Sequence, residues 1–224
     1  MTLRTFPDVI QGTDEWNDVR RGIVTASVVG QLVTASTLKV AANDTSRAVT
    51  ALLVAERITG YTDPTYTSDD MWRGIEDEPR ARAAYAEHTG VDVAEMGFML
   101  REHLSWKLGY SPDGLVGDVG LIEIKSRRQK KHLATILADA VPAENVMQVQ
   151  AGLLVTGRAW CDYVSYCGGM PLYVKRVYPD RRVHAAFIRA VRAFEVTAAE
   201  MTSRYHAAVV GLPTTERIEQ ELVI

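Results

Sequence analysis

Two carboxylates and an ammonium stand out for their types and spacing. They lie in residues 111–125, Ser-Pro-Asp-Gly-Leu-Val-Gly-Asp-Val-Gly-Leu-Ile-Glu-Ile-Lys, as Asp113, Glu123 and Lys125. Leu121, Ile122 and Ile124 make a short β-prone run. Because strand side chains alternate faces, Glu123 and Lys125 point one way and Ile122 and Ile124 the other, into a core. Gly114, Gly117 and Gly120 predict a turn between two antiparallel strands, which brings Asp113 back beside Glu123. Two acids and one lysine on a small surface cost free energy unless a cation compensates them. Hard oxygen donors with open positions suit Mg²⁺ or Mn²⁺. The alternative is a surface hairpin whose charges simply pair.

The same residues carry a resemblance. Pro112-Asp113 followed by Glu123-Ile124-Lys125 is similar to the Pro-Asp…(Asp/Glu)-x-Lys signature of the metal-dependent nucleases with a restriction-endonuclease-like core. The fuller string resembles their phage lambda exonuclease branch, the viral recombinase exonucleases. The resemblance implies that Asp113 and Glu123 hold Mg²⁺, which Mn²⁺ can replace, with the Ile124 carbonyl as a further ligand. It also implies that Lys125 orients the attacking water and helps to deprotonate it.

Three other stretches extend the likeness. Gln11-Gly12, Glu15-Trp16 and Arg20-Arg21-Gly22-Ile23-Val24-Thr25-Ala26-Ser27 resemble the branch's N-terminal motif. There Arg20 and Ser27, with Ser111, would hold a DNA 5′-phosphate, and a helix N-terminus with a hydroxyl and a guanidinium nearby suits an anion. Read without the likeness, Ser27 is an N-cap and Arg20 a solvated cation. Glu78, followed by Ala81-Arg82 and Tyr85, matches the register of a further metal-site carboxylate, whereas Glu76 does not. Gln148-Val149-Gln150 resembles the branch's Gln-x-Gln motif, with Gln148 beside the metals. The branch often has an aromatic three residues before that Gln, and this chain has Asn145.

Bulk properties bound these readings. At 224 residues the chain suits a single domain, 1–224, with a good-sized core. A net charge of −3 gives no global hint of nucleic acid, so any DNA contact must come from a local basic surface. Such a surface is offered by Arg127, Arg128, Lys130 and Lys131, which directly follow Lys125 and read either as a phosphate-tracking run or as a solvated loop. Only Cys161 and Cys167 are present, which favours a reducing cytoplasm and is too few for an iron–sulfur cluster. No apolar run approaches a membrane span, and no signal-peptide pattern opens the chain.

The remaining chain supplies elements to position these groups. Two short helices fall in 13–35. A core helix over 45–59 uses Val49, Leu52, Leu53, Ala55 and Ile58 and stops at Gly60; a polar loop follows over 62–70. A helix over 74–89 takes Pro79 into its first turn. Strands are expected over 91–100 and 104–110, and 126–132 reads as loop. A helix bracketed by Pro142 and Gly157 buries Val146, Leu153 and Leu154. Strands over 159–166 and 172–178 close the sheet, and Asp180 caps a long helix running to about 209. The apolar end Leu222-Val223-Ile224 offers a dock for another subunit.

The fold expected is α/β, a restriction-endonuclease-like core with a central mixed sheet flanked by helices. The function expected is a Mg²⁺-dependent exonuclease that degrades the 5′-ended strand of linear duplex DNA in phage-type recombination. The resemblance adds a trimeric ring, a single-strand annealing protein as partner and a cytoplasmic location. Alternatives are a site- or structure-specific endonuclease on the same core, or an inactive DNA-end-binding module.

Overall fold

The computed structural model describes residues 1–64 and 68–217. Its first elements are β1 (Thr2–Phe6), α1 (Asp14–Arg20), α2 (Ala26–Val29), β2 (Val33–Thr34), β3 (Lys39–Val40) and α3 (Asp44–Thr59). Then come α4 (Asp69–Thr89), β4 (Val93–Ala94), β5 (Phe98–His103), β6 (Trp106–Tyr110), β7 (Gly114–Val116) and β8 (Gly120–Ser126). The last are α5 (Gln129–Ala138), α6 (Ala143–Thr156), β9 (Trp160–Tyr166), β10 (Tyr173–Val177) and α7 (Arg181–Ala208). The expected end Leu222-Val223-Ile224 lies outside the described residues.

The central sheet is mixed and has five strands in the order β10-β9-β8-β7-β4. β8 pairs parallel with β9 across the α5–α6 crossover, and the other pairings are antiparallel. A separate sheet β1-β5-β6 delivers the chain into the β7–β8 hairpin. Two cores cover the two faces of β8. Leu121 joins Tyr110, Val149, Leu153, Tyr163, Phe187 and Val191 on one side. Ile122 and Ile124 join Ala81, Tyr85, Val116 and Val164 under α4 on the other. A strand buried on both faces reads as a near-continuous apolar run, which is why 121–124 looks so β-prone. It also corrects one expectation: Glu123 does not stand on a surface but is fully buried.

Other differences have local causes. The expected strand over 91–100 is split between two sheets, because Gly97 packs where a Cβ would meet the Val9 carbonyl oxygen at 1.9 Å. α4 begins at Asp69, where the Ser68 hydroxyl accepts from the Met71 N–H, so Pro79 lies inside the helix and not in its first turn. α3 is rotated from the expected face: Leu52 and Ala55 are exposed while Val54 and Glu56 are buried. Its polar side docks on a turn, with the Gly22 N–H donating to Glu56 Oε2 at 2.7 Å and Arg57 Nε donating to the Gly22 carbonyl at 2.7 Å. α5 occupies much of the expected loop. It buries His132 and Thr135 and exposes Leu133 and Leu137, the reverse of its hydrophobic pattern. β1 has no strong alternation and was not expected. In α6, Val146 is exposed and Leu153 buried.

α6 sits on β6 at Gly152, where an added Cβ would meet the Tyr110 ring at 2.8 Å. Gly152→Ala gains about 1 kcal/mol of helix propensity. Overpacking typically costs about 1–3 kcal/mol, so the substitution is expected to lower the urea midpoint. An equal or higher midpoint would show that α6 does not press on Tyr110.

Candidate active site

The hairpin register pairs Gly114 with Ile122 and Leu115 with Leu121, which sets Asp113 across from Glu123. Gly117 takes φ 50° in the turn, a left-handed value that glycine adopts without strain. Arg158 clasps the turn from outside, donating to the Gly117 and Gly120 carbonyls at 2.6 Å each. Asp113 Oδ2 accepts the Ile124 N–H at 2.6 Å. Glu123 Oε1 accepts from Lys125 Nζ at 2.6 Å, and its Oε2 accepts from the Tyr110 hydroxyl at 2.8 Å. Tyr110 ends β6, one residue before Ser111, so the strand that feeds the hairpin also supplies a donor to its acid. Sequence reasoning missed Tyr110, although a tyrosine next to Ser-Pro-Asp was the available signal.

α4 brings the third carboxylate. Arg82 Nε donates to the Asp113 carbonyl at 2.8 Å, and Arg82 Nη2 holds Glu78 Oε1 at 2.5 Å. The i, i+4 pair on α4 is thereby latched to the hairpin rather than left on the surface. Farther along α4, the Tyr85 hydroxyl donates to buried Asp162 Oδ2 at 2.7 Å, and Arg176 donates to both Asp162 oxygens at 2.8 Å. That brace fixes the rotation of α4 on the sheet.

Electrostatics reflect crowding of like charge. Burial, then Glu123 and Glu78, push the Asp113 carboxyl well above the usual carboxylate range, against the pull of Lys125 and the Ile124 N–H. Burial also raises Glu78, with Glu123 and Glu95 adding to it and Arg82 opposing. Burial alone would lower Lys125, but Glu123 and Asp113 more than offset it, so its proton is held tightly. Among the described residues, no three His, Cys, Asp or Glu side chains converge as a ready-made metal cage. The donor set nevertheless fits a hard divalent cation. Asp113, Glu123 and Glu78 lie near enough to feel one another's charge, and two of them are held above their ordinary range by burial and like-charge repulsion, a cost that a cation relieves.

Gln148 is half-buried, and its side chain makes no hydrogen bond to a described residue. It lies one turn before Gly152, hence on the face of α6 that meets Tyr110. Gln150 plays a different part, donating to the Tyr178 carbonyl and accepting the Asp180 N–H, which ties α6 to the start of α7.

The N-terminal residues converge through an aromatic ring. The Arg20 guanidinium lies over the Trp16 ring at 3.9 Å, and Trp16 Nε1 donates to Ser111 Oγ at 2.8 Å. Trp16, to which the motif assigned no role, is the link between the two motifs. The Arg20 side chain has no hydrogen bond or ion pair among the described residues, and burial lowers its pKa. Ser27 is exposed, with its hydroxyl 3.0 Å from Thr25 Oγ1. The Gly109 N–H donates to the Val24 carbonyl at 2.9 Å, which sets this loop beside the strand leading to Ser111. α2 is only four residues long, so the hydroxyl and guanidinium, not a helix dipole, make this spot favourable for an anion.

The basic run is not a uniform strip. Arg128 pairs with Asp70 at 2.8 Å and Lys131 with Glu144 at 2.6 Å. Arg127 turns inward to Asn145. Lys130 alone in the run has no ion pair among the described residues.

A mixed sheet with flanking helices, presenting an acid pair and a lysine on a hairpin, defines a nuclease-type α/β domain. Residues 15–159 match the model of the YqaJ-like viral recombinase domain, and the chain belongs to that family. It is 34% identical to an alkaline exonuclease (LHK-Exo) from Laribacter hongkongensis, with a TM-score of 0.78 over 90% of this chain and all of that one. The same figures hold for that enzyme's complex with dAMP. A phage-related exonuclease from Haemophilus somnus 129PT shares the fold at 12% identity, with a TM-score of 0.61 over 84% of this chain and 99% of its own. No curated protein matches the chain.

The raised Asp113 carboxyl makes a stability prediction. The folded state binds its proton more tightly than the unfolded chain does, so its contribution is favourable at low pH and is lost as pH rises through the raised folded value. Asp113→Asn keeps an acceptor for the Ile124 N–H and removes the charge. At pH 8 in EDTA it is expected to melt above the wild type, by about 2–4 °C for each kcal/mol recovered. A lower melting temperature would contradict the repulsion described here.

Proposed function

We propose that this chain is one catalytic domain, 1–224, that hydrolyses the 5′-ended strand of linear duplex DNA in the presence of Mg²⁺ and leaves a 3′ single-stranded overhang for recombination. The observation that carries the reading is the meeting of Asp113, Glu123, Lys125 and Glu78 at one hairpin end, next to the linked Arg20, Trp16 and Ser111. The related enzyme from L. hongkongensis is an alkaline exonuclease solved with dAMP, a mononucleotide of the size such digestion releases.

Asp113, Glu123 and Glu78, with the Ile124 carbonyl and Gln148, would hold Mg²⁺ or Mn²⁺. Bound there, the ion supplies an activated water and offsets charge gathering on the phosphate. The chain's own groups do the positioning. Tyr110 and Lys125 fix the two oxygens of Glu123, and the Ile124 N–H fixes Asp113. Lys125 acts first as an ammonium, donating to the incoming water or a phosphate oxygen, because the neighbouring carboxylates keep it protonated. A role in taking the water's proton requires added positive charge beside those acids. Arg20, Ser27 and Ser111 would hold the terminal 5′-phosphate, with Trp16 keeping the guanidinium and the Ser111 hydroxyl in place.

Duplex ends are the partner, with Arg128, Lys130 and Lys131 facing the backbone. A trimeric ring, a single-strand annealing protein and a cytoplasmic setting complete the reading. Leu133 and Leu137, one turn apart on α5 and 49% and 77% exposed, support burial against another chain. No described helix is long and apolar enough to cross a membrane.

Linear duplex labelled separately at each end, and covalently closed circular DNA, test the central proposal. Label should leave the 5′-ended strands first, and the circle should persist; cutting of the circle favours an endonuclease. Asp113→Ala and Lys125→Ala are each expected to lose at least about 10²–10³ in rate, and activity within a few-fold of wild type would remove them from the site. The wild type is expected to start faster on 5′-phosphorylated than on 5′-hydroxyl ends. Arg20→Ala should slow starts on phosphorylated ends by roughly 10- to 150-fold, the range for one charge-assisted hydrogen bond. Light scattering should give three times the chain mass, and a monomer mass would discard the ring.

A further inference from the structure

Arg127 stands apart from the basic residues around it. Strand alternation continues past the end of β8, where the Arg127 N–H still donates to the Tyr166 carbonyl of β9 at 2.8 Å. Its side chain therefore shares a face with Glu123 and Lys125. It is mostly buried, with 14% of the side chain exposed, whereas Arg128 is 69% exposed.

That burial is poorly compensated. Arg127 Nη2 donates to Asn145 Oδ1 and makes only a long 3.5 Å contact with the Tyr163 hydroxyl. Its nearest carboxylate, Glu144, is 3.9 Å away and already held by Lys131 at 2.6 Å. Arg127 Nε is buried without any partner among the described residues. A buried guanidinium without a close counter-ion is costly, and a purely structural arginine would have both edges satisfied. Its partner Asn145 is three residues before Gln148 on α6, so both lie along the helix face turned to the site. The Arg127 charge also reaches Lys125, whose proton it opposes.

We propose that Arg127 is an active-site residue that binds the phosphate at the point of cleavage, and not a member of the run that follows the duplex backbone. The inference rests on the nuclease reading above. An arginine presents a planar fork of N–H donors that matches two phosphate oxygens, and Nε with its neighbouring Nη forms one edge of that fork. Asn145 takes an N–H of Nη2, the nitrogen beside Nε, and so anchors the fork while the Nε–H stays unpaired among the described residues. The chain thus places an Arg–Asn pair where the resembling exonucleases often have an aromatic. The ligand is a phosphodiester before cleavage and a mononucleotide phosphate after it.

Steady-state digestion of linear duplex with Mg²⁺ separates the possibilities. Arg127→Ala is expected to lose roughly 10- to 150-fold in kcat, the range for one charge-assisted hydrogen bond, with KM for duplex ends changed by no more than a few-fold. Millimolar acetamidinium, a planar forked cation that fits the space left by the side chain, should restore part of that kcat and should not affect the wild type. A rise in KM at unchanged kcat would return Arg127 to the backbone-following run and overturn the proposal. Loss of kcat without rescue by the added cation would make the residue structural and overturn it equally. If Arg127→Ala does not fold, Arg127→Lys keeps the charge without the fork; a loss of at least tenfold in kcat supports the proposal, and wild-type kcat overturns it. A wild type that releases no nucleotides with Mg²⁺ defeats the nuclease reading itself. Normal wild-type digestion with an indifferent Arg127 defeats only this inference.

Discussion

A carboxylate with no solvent exposure, in the middle of a strand covered on both faces, is the constraint around which this protein is built. Glu123 can sit there only because Lys125 and Tyr110 occupy its two oxygens. Removing one partner of such a buried pair leaves an uncompensated charge, typically a loss of about 3–5 kcal/mol. The surroundings therefore have to hold both partners in register. β6 must end where Tyr110 reaches across, α6 must press on the Tyr110 ring at Gly152, and β8 must keep the alternation that puts Lys125 on the same side as Glu123.

The same demand explains the latches around the hairpin. Arg82 joins α4 to the Asp113 carbonyl, and Arg158 gathers the turn carbonyls. On the far face, Tyr85 and Asp162 pair in the core, and the exposed Arg176 closes the network from outside, its guanidinium also covering the Trp160 ring at 3.7 Å. Burial and the Asp162 carboxylate push the Tyr85 hydroxyl far above its ordinary range, so it remains a donor at any working pH. Polar networks of this kind are costly when half satisfied and rigid when complete. Here a complete one holds α4 steady while Glu78, two turns earlier, remains crowded against Asp113 and Glu123. Strain is concentrated at the site, and the satisfied interactions lie behind it.

Charge near the site is also sorted by burial rather than by sequence neighbourhood. Lys125, Arg127, Arg128, Lys130 and Lys131 look equivalent in the chain, but each meets a different environment. Lys125 pairs with buried Glu123, Arg127 turns inward to Asn145, Arg128 and Lys131 are held by Asp70 and Glu144, and Lys130 is left to solvent. Exposed pairs of this type contribute about 0–1 kcal/mol and yield readily to a phosphate. A buried guanidinium is not interchangeable with them.

Much was legible in the sequence. Glycine spacing and the apolar run over 121–124 determined the hairpin, and alternation then determined that Asp113, Glu123 and Lys125 would meet. Capping residues determined the ends of α3, α6 and α7, because Gly60, Gly157 and Asp180 act through backbone geometry and local hydrogen bonds. Tertiary structure decided what depends on distant partners. It buried Glu123, rotated α3 onto the Gly22 turn, extended α4 through Pro79 and folded the basic loop into α5 with its leucines outward. It alone revealed that Trp16 joins Arg20 to Ser111 across 95 residues of chain, and that Arg127 turns inward. Local spacing fixes which side chains share a strand or helix face, but burial depends on which elements pack over that face, and no short window of sequence contains them.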